Sequence, residues 1–226
     1  MTNTGKLATG LVIVFANCND PEKEKEFGAW YDSVHIPAIL GTGGFTGATR
    51  WITGWEYYRP YHVQTRYAVL YETSLDPAEA MAVMRREVPK LPENQRGHVN
   101  LAYRTAIMAS RIFATAPAGL SGQPKSKGML FVGMNNTVPA MEKEFNAWYN
   151  KVHGDDYMDI PGITAYHRWR IVNPQPNDPQ YLGLAEIDSH EVERVVGRIQ
   201  TISGTHKPPA ENMVDRVFRL RCIRAY

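Results

Sequence analysis

The sequence has very little cysteine. Its 226 residues include only Cys18 and Cys222, which lie near opposite ends of the chain. No Cys-x-x-Cys pair and no cysteine–histidine pairing at zinc spacing is present, so neither a disulfide framework nor a structural zinc site is indicated. Because free cysteine is most often buried, we expect two reduced, buried thiols.

An excess of one charge and a long apolar run are also lacking. Lysine and arginine total 25, aspartate and glutamate total 23, and the formal net charge is +2. This balance, without runs of like charge, favours neither a nucleic-acid partner nor a membrane partner. No apolar stretch approaches the roughly 20 residues that cross a bilayer, and residues 1–9 contain no apolar signal region. We therefore expect a cytoplasmic protein.

Motifs for metals, phosphates and activated serines are missing as well. The chain has no His-Glu-x-x-His, no Gly-x-Ser-x-Gly and no glycine-rich loop that opens a helix after a strand. We therefore expect no metal and no organic cofactor.

What the sequence does contain is an internal repeat. Residues 26–35 (EFGAWYDSVH) match residues 144–153 (EFNAWYNKVH) at seven of ten positions, with an offset of 118. The offset holds without a gap from Gly10 and Gly128 to Trp51 and Trp169, and it shrinks only after a longer loop in the first copy, around residues 55–64. One register held over about forty residues indicates a tandem duplication. We place the first repeat at residues 1–116, a linker at 117–127 and the second repeat at 128–226.

Each copy shows the same order of elements. A short apolar strand is followed by a helix that Asn19 or Asp20 caps in the first copy and Thr137 in the second, with a proline close behind each cap. Apolar residues then recur at i, i+3, i+4 and i+7, and two strands, a second helix and a last strand follow. The first helix carries this stripe in both copies: Phe27, Trp30, Tyr31 and Val34, and Phe145, Trp148, Tyr149 and Val152.

The order βαββαβ is the ferredoxin-like unit. A four-stranded sheet with helices on one face leaves its other face to be covered. We therefore predict an α+β fold in which two ferredoxin-like repeats pack their antiparallel sheets face to face as an intrachain α+β barrel.

The end of the first helix resembles a known superfamily. Residues 27–37 (FGAWYDSVHIP), followed by Gly44-Phe45 and residues 48–51 (ATRW), are similar to the dimeric α+β barrel superfamily and, within it, to the EthD-like branch. The first copy has Gly-Gly-Phe where the branch has Pro-Gly-Phe, and the second has residues 153–156 (HGDD) in place of His-Ile-Pro. The resemblance implies the barrel fold and a small-molecule substrate, in a superfamily of cyclases, isomerases, lyases, monooxygenases and haem enzymes.

Two histidines are the leading catalytic candidates. His35 and His153 end the two matched helices, about 90° from the centre of the apolar stripe at 100° per residue. An imidazole half in and half out of the core, with an ordinary pKa near 6.5, suits proton transfer at neutral pH. The alternative is a structural histidine that caps the last helical carbonyls. Because the copies differ after these histidines, we expect one pocket to be larger and more open.

Other polar side chains lie close to these histidines in the pattern. Tyr31 and Tyr149 lie one turn earlier and would either place a hydroxyl in the same pocket or pack in the core. Packing in the core is expected even more strongly of Trp30 and Trp148. We keep these four as candidates for catalysis or substrate binding.

The strands supply three further candidates. Arg50 and Arg168 would hold a substrate carboxylate or phenolate, or else form ion pairs with Glu72 or Glu186 on a neighbouring strand. His167 has a threonine as its counterpart, and alternation places it on the face opposite Arg168. It would mark the second copy as the active one or simply pack there. We expect His98 and His206, before the last strands, to be loop residues.

These observations favour a cofactor-independent enzyme. A helix-end histidine would act as general acid or base on a small apolar or aromatic oxygenated substrate, in a lyase, isomerase or cyclase step. Two alternatives stay open: a non-catalytic small-molecule-binding protein, and a cofactor-free or haem-dependent oxygenase of the same fold with histidine as axial ligand. A homodimer of tandem chains is a further expectation.

Overall fold

The computed structural model describes residues 8–58, 64–115, 126–202 and 206–225. Most of the predicted linker and part of the longer loop after β2 lie outside these residues. The strands are β1 (Gly10–Cys18), β2 (Gly47–Tyr58), β3 (Tyr67–Thr73), β4 (Leu101–Ala114), β5 (Gly128–Asn136), β6 (Ile163–Ile171), β7 (Tyr181–Ile187) and β8 (Val214–Arg224). The α-helices are α1 (Glu24–Trp30), α2 (Ile36–Gly41), α3 (Pro77–Glu87), α4 (Glu93–Arg96), α5 (Glu142–Ala147), α6 (Gly154–Met158) and α7 (Val192–Ile202).

The eight strands form one closed antiparallel barrel in the order β1-β3-β2-β8-β5-β7-β6-β4. We call the chain before the predicted linker the first half and the chain after it the second half. Each half contributes four strands in the ferredoxin-like order, and the halves join where β2 pairs with β8 and where β4 pairs with β6. The predicted α+β barrel fold is confirmed.

The barrel interior is filled by side chains from both halves. Successive residues of a strand face opposite sides of a sheet, so Leu11, Ile13 and Phe15 of β1 join the interior cluster with Trp51 and Trp169. The intervening residues pack outward against the helices of their own half. Space for a ligand is therefore found outside the barrel, between sheet and helices.

The first helix of each half is a composite. A short 3-10 turn leads into α1 or α5, a π-helical segment follows at Tyr31–His35 or Trp148–His153, and α2 or α6 completes it. Asp20 caps the start as predicted, because its side chain accepts a hydrogen bond from the Glu22 amide. The predicted cap at Thr137 is wrong, since its hydroxyl donates instead to the Asn212 carbonyl.

The π-helical segments change where the two histidines lie. In such a segment residues five apart come into line, so His35 stacks on Trp30 and His153 stacks on Trp148. Both histidines are buried, with 8% and 5% exposure. The expectation that they lie half out of the core, which assumed a regular α-helix, is wrong.

Both cysteines are free thiols; Cys222 is buried and Cys18 is half-buried. Within the described residues, no helix has both the length and the apolar character required to span a membrane.

Candidate functional site

A cavity of about 240 Å³ lies in the second half, between the composite helix and the outer face of the sheet. Apolar residues of β5 and α7 and two small residues of β7, Gly183 and Ala185, form part of its wall, and the remaining lining side chains are polar or aromatic. The residues with polar side chains at the cavity are Tyr149, His153, Tyr157, Tyr166, Arg216 and Arg219.

His153 is held in this wall by aromatic rings. Its ring stacks on Trp148 at 4.9 Å between centroids and lies edge-on to Tyr149 and Tyr157. Burial, and then the positive charges of Arg216 and Arg168, lower the pKa of His153 to about 4. The imidazole is therefore neutral at pH 7 and is available as a base.

An acidic residue lies beside this histidine. The Oδ2 atom of Asp156 is 4.0 Å from His153 Nδ1, and among the described residues neither atom has a hydrogen-bond partner. The other carboxylate oxygen, Oδ1, contacts His206 Nδ1 at 2.7 Å. At the same place in the repeat the first half has Ala38. The second half therefore supplies a carboxylate that can orient its helix-end histidine.

Three buried tyrosines complete the aromatic wall. Burial raises the pKa of Tyr157 to about 12 and also raises the pKa values of Tyr149 and Tyr166. All three hydroxyls therefore stay protonated at neutral pH and can donate hydrogen bonds to a ligand oxygen.

Two arginines bring positive charge to the cavity. Alternation alone would place Arg216 and Arg219 on opposite faces of β8, but the strand bulges at Val217, where its register against β5 shifts. Both arginines consequently line the cavity. Arg219 Nε lies 3.2 Å from Glu56 Oε2 across the junction of the halves. In the described part of the chain, none of the residues that line the cavity is acidic.

A glycine provides part of the space. Gly183 of β7 lines the cavity, and an added Cβ there would lie 2.9 Å from Tyr166 Oη and 3.1 Å from Met134 Cε. The first half has Val69 at the equivalent register position, opposite Val14 as Gly183 is opposite Val132. The glycine opens a volume that the valine fills in the first half.

The first half is built differently around its histidine. His35 Nδ1 is 2.8 Å from the Gln95 carbonyl, and Trp30 Nε1 donates to the Asn94 carbonyl at 2.6 Å. Helix α4 therefore lies over the aromatic residues Trp30, Tyr31 and His35. Burial lowers the pKa of His35, and the hydrogen bond with Gln95 opposes that shift.

The strand arginines do not form the expected ion pairs with the strand glutamates. Arg50 instead holds both carboxylate oxygens of Asp32, at 2.8 and 2.7 Å. Arg168 donates from Nη1 to Asn150 Oδ1 at 2.8 Å. The expectation of pairing with Glu72 or Glu186 is wrong because both arginines face outward, under the composite helices, whereas the glutamates face the barrel interior.

His167 lies inside the barrel, on the opposite face of the sheet from the cavity, as alternation predicted. Its Nε2 is 2.7 Å from Glu186 Oε1, and Arg111 Nη1 is 2.8 Å from its Nδ1. Because arginine can only donate, Nδ1 accepts and Nε2–H donates to the glutamate. His167 therefore connects β4, β6 and β7 and is separated by the sheet from the cavity of His153.

Of the polar residues at or beside the cavity, His153 and Tyr149 are predicted from the sequence, whereas Asp156, Tyr157, Tyr166 and the two arginines of β8 are not. The signals available were the His-x-x-Asp spacing, which places both side chains on one side of a helix, and Tyr157 a turn later. No sequence signal revealed the bulge that brings the arginines together.

Comparisons with known proteins show the fold. No protein-family model matches the chain, and no curated protein matches it. Among solved structures, a candidate chlorite dismutase is 11% identical over 97% of this chain and 96% of that one, with a TM-score of 0.59. A candidate monooxygenase from Fusobacterium nucleatum is 10% identical over 97% of this chain and 94% of its own, with a TM-score of 0.54. A haem-binding protein from Thermus thermophilus is 11% identical over 97% of this chain and 92% of its own, with a TM-score of 0.53.

These structures share the closed α+β barrel fold of this chain. One of these three structures is a haem-binding protein, and the size and lining of this cavity decide whether haem would fit it. Sites for drug-sized ligands measure about 300–1,000 Å³, and haem is larger than such ligands, while this cavity measures about 240 Å³. The ring of His153 is also enclosed by Trp148, Tyr149 and Tyr157. The residues that line this cavity do not fit haem.

Proposed function

We propose that the chain is a cofactor-independent enzyme whose second-half cavity removes a proton from a small aromatic oxygenated substrate. The observation that carries this proposal is the neutral, buried His153 at a cavity, with the Asp156 carboxylate 4.0 Å from its Nδ1. With Nδ1–H directed to Asp156, Nε2 carries the lone pair and is the nitrogen that takes the proton.

The rest of the lining suits the anion that this step creates. The tyrosine hydroxyls and the guanidinium groups of Arg216 and Arg219 are donors around the same cavity. Donors already in place where negative charge develops stabilise a transition state without reorganisation. A phenolate or enolate is therefore the intermediate that the lining favours.

Three outcomes are open to such an anion: reprotonation elsewhere (isomerase), expulsion of a leaving group (lyase), or reaction with dioxygen. We propose the third, because the structural neighbours include candidate monooxygenases. For an acidic methylene flanked by phenol or ketone groups, the balanced change is R₂CH₂ + O₂ → R₂C=O + H₂O. One oxygen atom enters the substrate, the other leaves as water, and the carbon supplies the four electrons.

The experiment compares His153→Gln with the matched variant His35→Gln in the first half. A panel of small phenols and ketones with acidic methylenes is assayed for oxygen uptake and for product. We expect His153→Gln to lower turnover by about 10²–10⁴-fold and His35→Gln to leave it nearly unchanged. Equal rates in both variants contradict the proposal. Turnover without oxygen uptake moves the reaction to the isomerase or lyase class, and tight binding without turnover indicates a binding protein.

We also propose that the two halves arose by duplication within the EthD-like branch. Support comes from the common element order and from a π-helical segment at the same place in both halves, each ending on the repeated histidine. Pairing of two such chains stays a prediction.

A further inference from the structure

The repeat provides an internal comparison of two buried arginines. In the first half, Arg50 is neutralised by Asp32, which accepts from Nε and Nη2 in a two-pronged ion pair. Its counterpart in the second half is Arg168, and the residue equivalent to Asp32 is Asn150. The second half therefore has a neutral amide where the first half has a carboxylate.

Among the described residues, Arg168 is a buried cation with no carboxylate partner. Arg168 is 0% exposed, and its Nε and Nη2 have no hydrogen-bond partner in the part of the chain that the structure describes. Aromatic rings surround it, with the guanidinium carbon 4.7 Å from the Tyr149 centroid and 5.3 Å from that of Tyr181. An unpaired charge in such surroundings is costly, and an anion bound nearby would reduce that cost.

The cavity is the nearby place where an anion can bind. Tyr149 contacts Arg168 on one side and lines the cavity on the other. The positive charge extends to the cavity, because Arg168 and Arg216 both depress the pKa of His153. At the register position of Arg219 the first half has Ala106. Compared with the first half, the second half therefore has an additional cation at the cavity and lacks an anion behind it.

We propose that this cavity selects ligands that carry a carboxylate. Asn150 sets this selectivity because its neutral amide does not neutralise the charge of Arg168. The carboxylate would be held by Arg216 and Arg219, and the aromatic body by the tyrosines. The inference rests on the proposed function only in placing the ligand in the same cavity. The substrate class then becomes a small aromatic carboxylic acid.

The test measures binding of benzoate and of benzamide, which have nearly the same shape and differ in charge, by calorimetry on the full chain. We expect benzoate to bind at least tenfold more tightly than benzamide. Asn150→Asp, which recreates the first-half ion pair, should weaken benzoate binding about tenfold and leave benzamide unchanged. The matched variant Asp32→Asn should change neither affinity.

A second measurement does not depend on a ligand. Asn150→Asp neutralises one of the two cations near His153. NMR titration of the His153 ring protons should therefore show a higher pKa in this variant than in the parent, whereas Asp32→Asn should leave the pKa of His153 unchanged. Should Asn150→Asp not fold, Arg216→Gln at an exposed position replaces it and should also weaken benzoate selectively. Equal binding of the two ligands, no binding of either, or benzoate affinity indifferent to these changes overturns the proposal. Because His153→Gln should still bind benzoate, failure of the catalytic proposal is distinguishable from failure of this one.

Discussion

Among single residues, Asp156 distinguishes the two helix-end histidines most clearly. His35 contacts a backbone carbonyl, which fixes its ring but cannot compensate a full positive charge. His153 has a carboxylate 4.0 Å from the same ring atom, and that carboxylate is itself held by His206. The second arrangement places a full negative charge beside the ring where an imidazolium would form during a reaction.

Replacing Asp156 with Asn should therefore slow turnover with little change in shape. The amide cannot balance the charge that forms on His153 when it takes a proton, so we expect kcat to fall by about 10- to 100-fold, less than the loss of the base itself. The measurement is kcat for Asp156→Asn against Asp155→Asn, an exposed neighbour in the same turn. Equal rates in the two variants would remove Asp156 from the mechanism.

The pKa of His153 also predicts how stability depends on pH. The folded-state pKa of about 4 is below the ordinary value of 6.5, so the unfolded chain binds the proton more readily between these pH values. The stability from the neutral buried ring is complete above pH 6.5 and is lost as the pH falls towards 4. Near the ring lie Asp156, Arg216 and Arg168, and the two arginines oppose protonation.

Urea unfolding at pH 7 and pH 4.5 checks this expectation. From pH 7 to pH 4.5, the free energy of unfolding of the parent should fall by about 2–3 kcal/mol more than that of His153→Gln, which has no proton to take up at this position. Other groups that titrate in this range cancel in the difference. Parallel losses in parent and variant would show that His153 is not held neutral.

At the level of elements, local irregularities build the site. The π-helical segment turns His153 onto Trp148, and the bulge at Val217 places two arginines on one face of β8. The sequence could predict the barrel because apolar alternation and the repeated helix both follow regular periods. It could not predict these irregularities, because a period of 100° or of two residues assumes that they are absent. The prediction of a cap at Thr137 was wrong for a related reason, because the Thr137 hydroxyl donates to a tertiary partner, the Asn212 carbonyl.

Gly183 offers a direct test of the cavity. An alanine methyl group there would meet Tyr166 Oη and Met134 Cε, both at the ends of side chains that line the cavity. We expect Gly183→Ala to weaken ligand binding about tenfold at a cost of about 1 kcal/mol in stability, as for modest overpacking.

Calorimetric titration with benzoate and a thermal melt check both parts of this expectation. The control is Gly41→Ala, because nothing lies within 4 Å of a Cβ added at that glycine. Unchanged binding in Gly183→Ala would mean that the ligand occupies another place.

At the scale of the whole molecule, the two halves are joined by strand pairing and by polar contacts inside the barrel. Arg111 of the first half donates to His167 of the second, and His167 and Ser126 both donate to Glu186. Burial lowers the pKa of Arg111 to about 10, while the charges of Glu72 and Glu186 oppose that shift. The first half has Thr49 in place of His167, and Thr49 accepts from Trp51 Nε1. The histidine of this network therefore has no counterpart at the equivalent position of the first half.

Replacing His167 with Thr, the residue of the first half, should therefore destabilise the barrel without touching the site. Threonine would offer an oxygen to Trp169 Nε1, which has no partner among the described residues. It is too short to reach both Glu186 and Arg111, however, and removing one member of a buried charged network costs about 3–5 kcal/mol. Chemical unfolding should show a loss of this size, while benzoate affinity stays within about twofold because the network lies on the inner face of the sheet and the cavity on the outer face. If stability is unchanged, His167 is merely a packed side chain. If benzoate affinity falls together with stability, the inner and outer faces of the sheet are coupled, and His167 does influence the cavity.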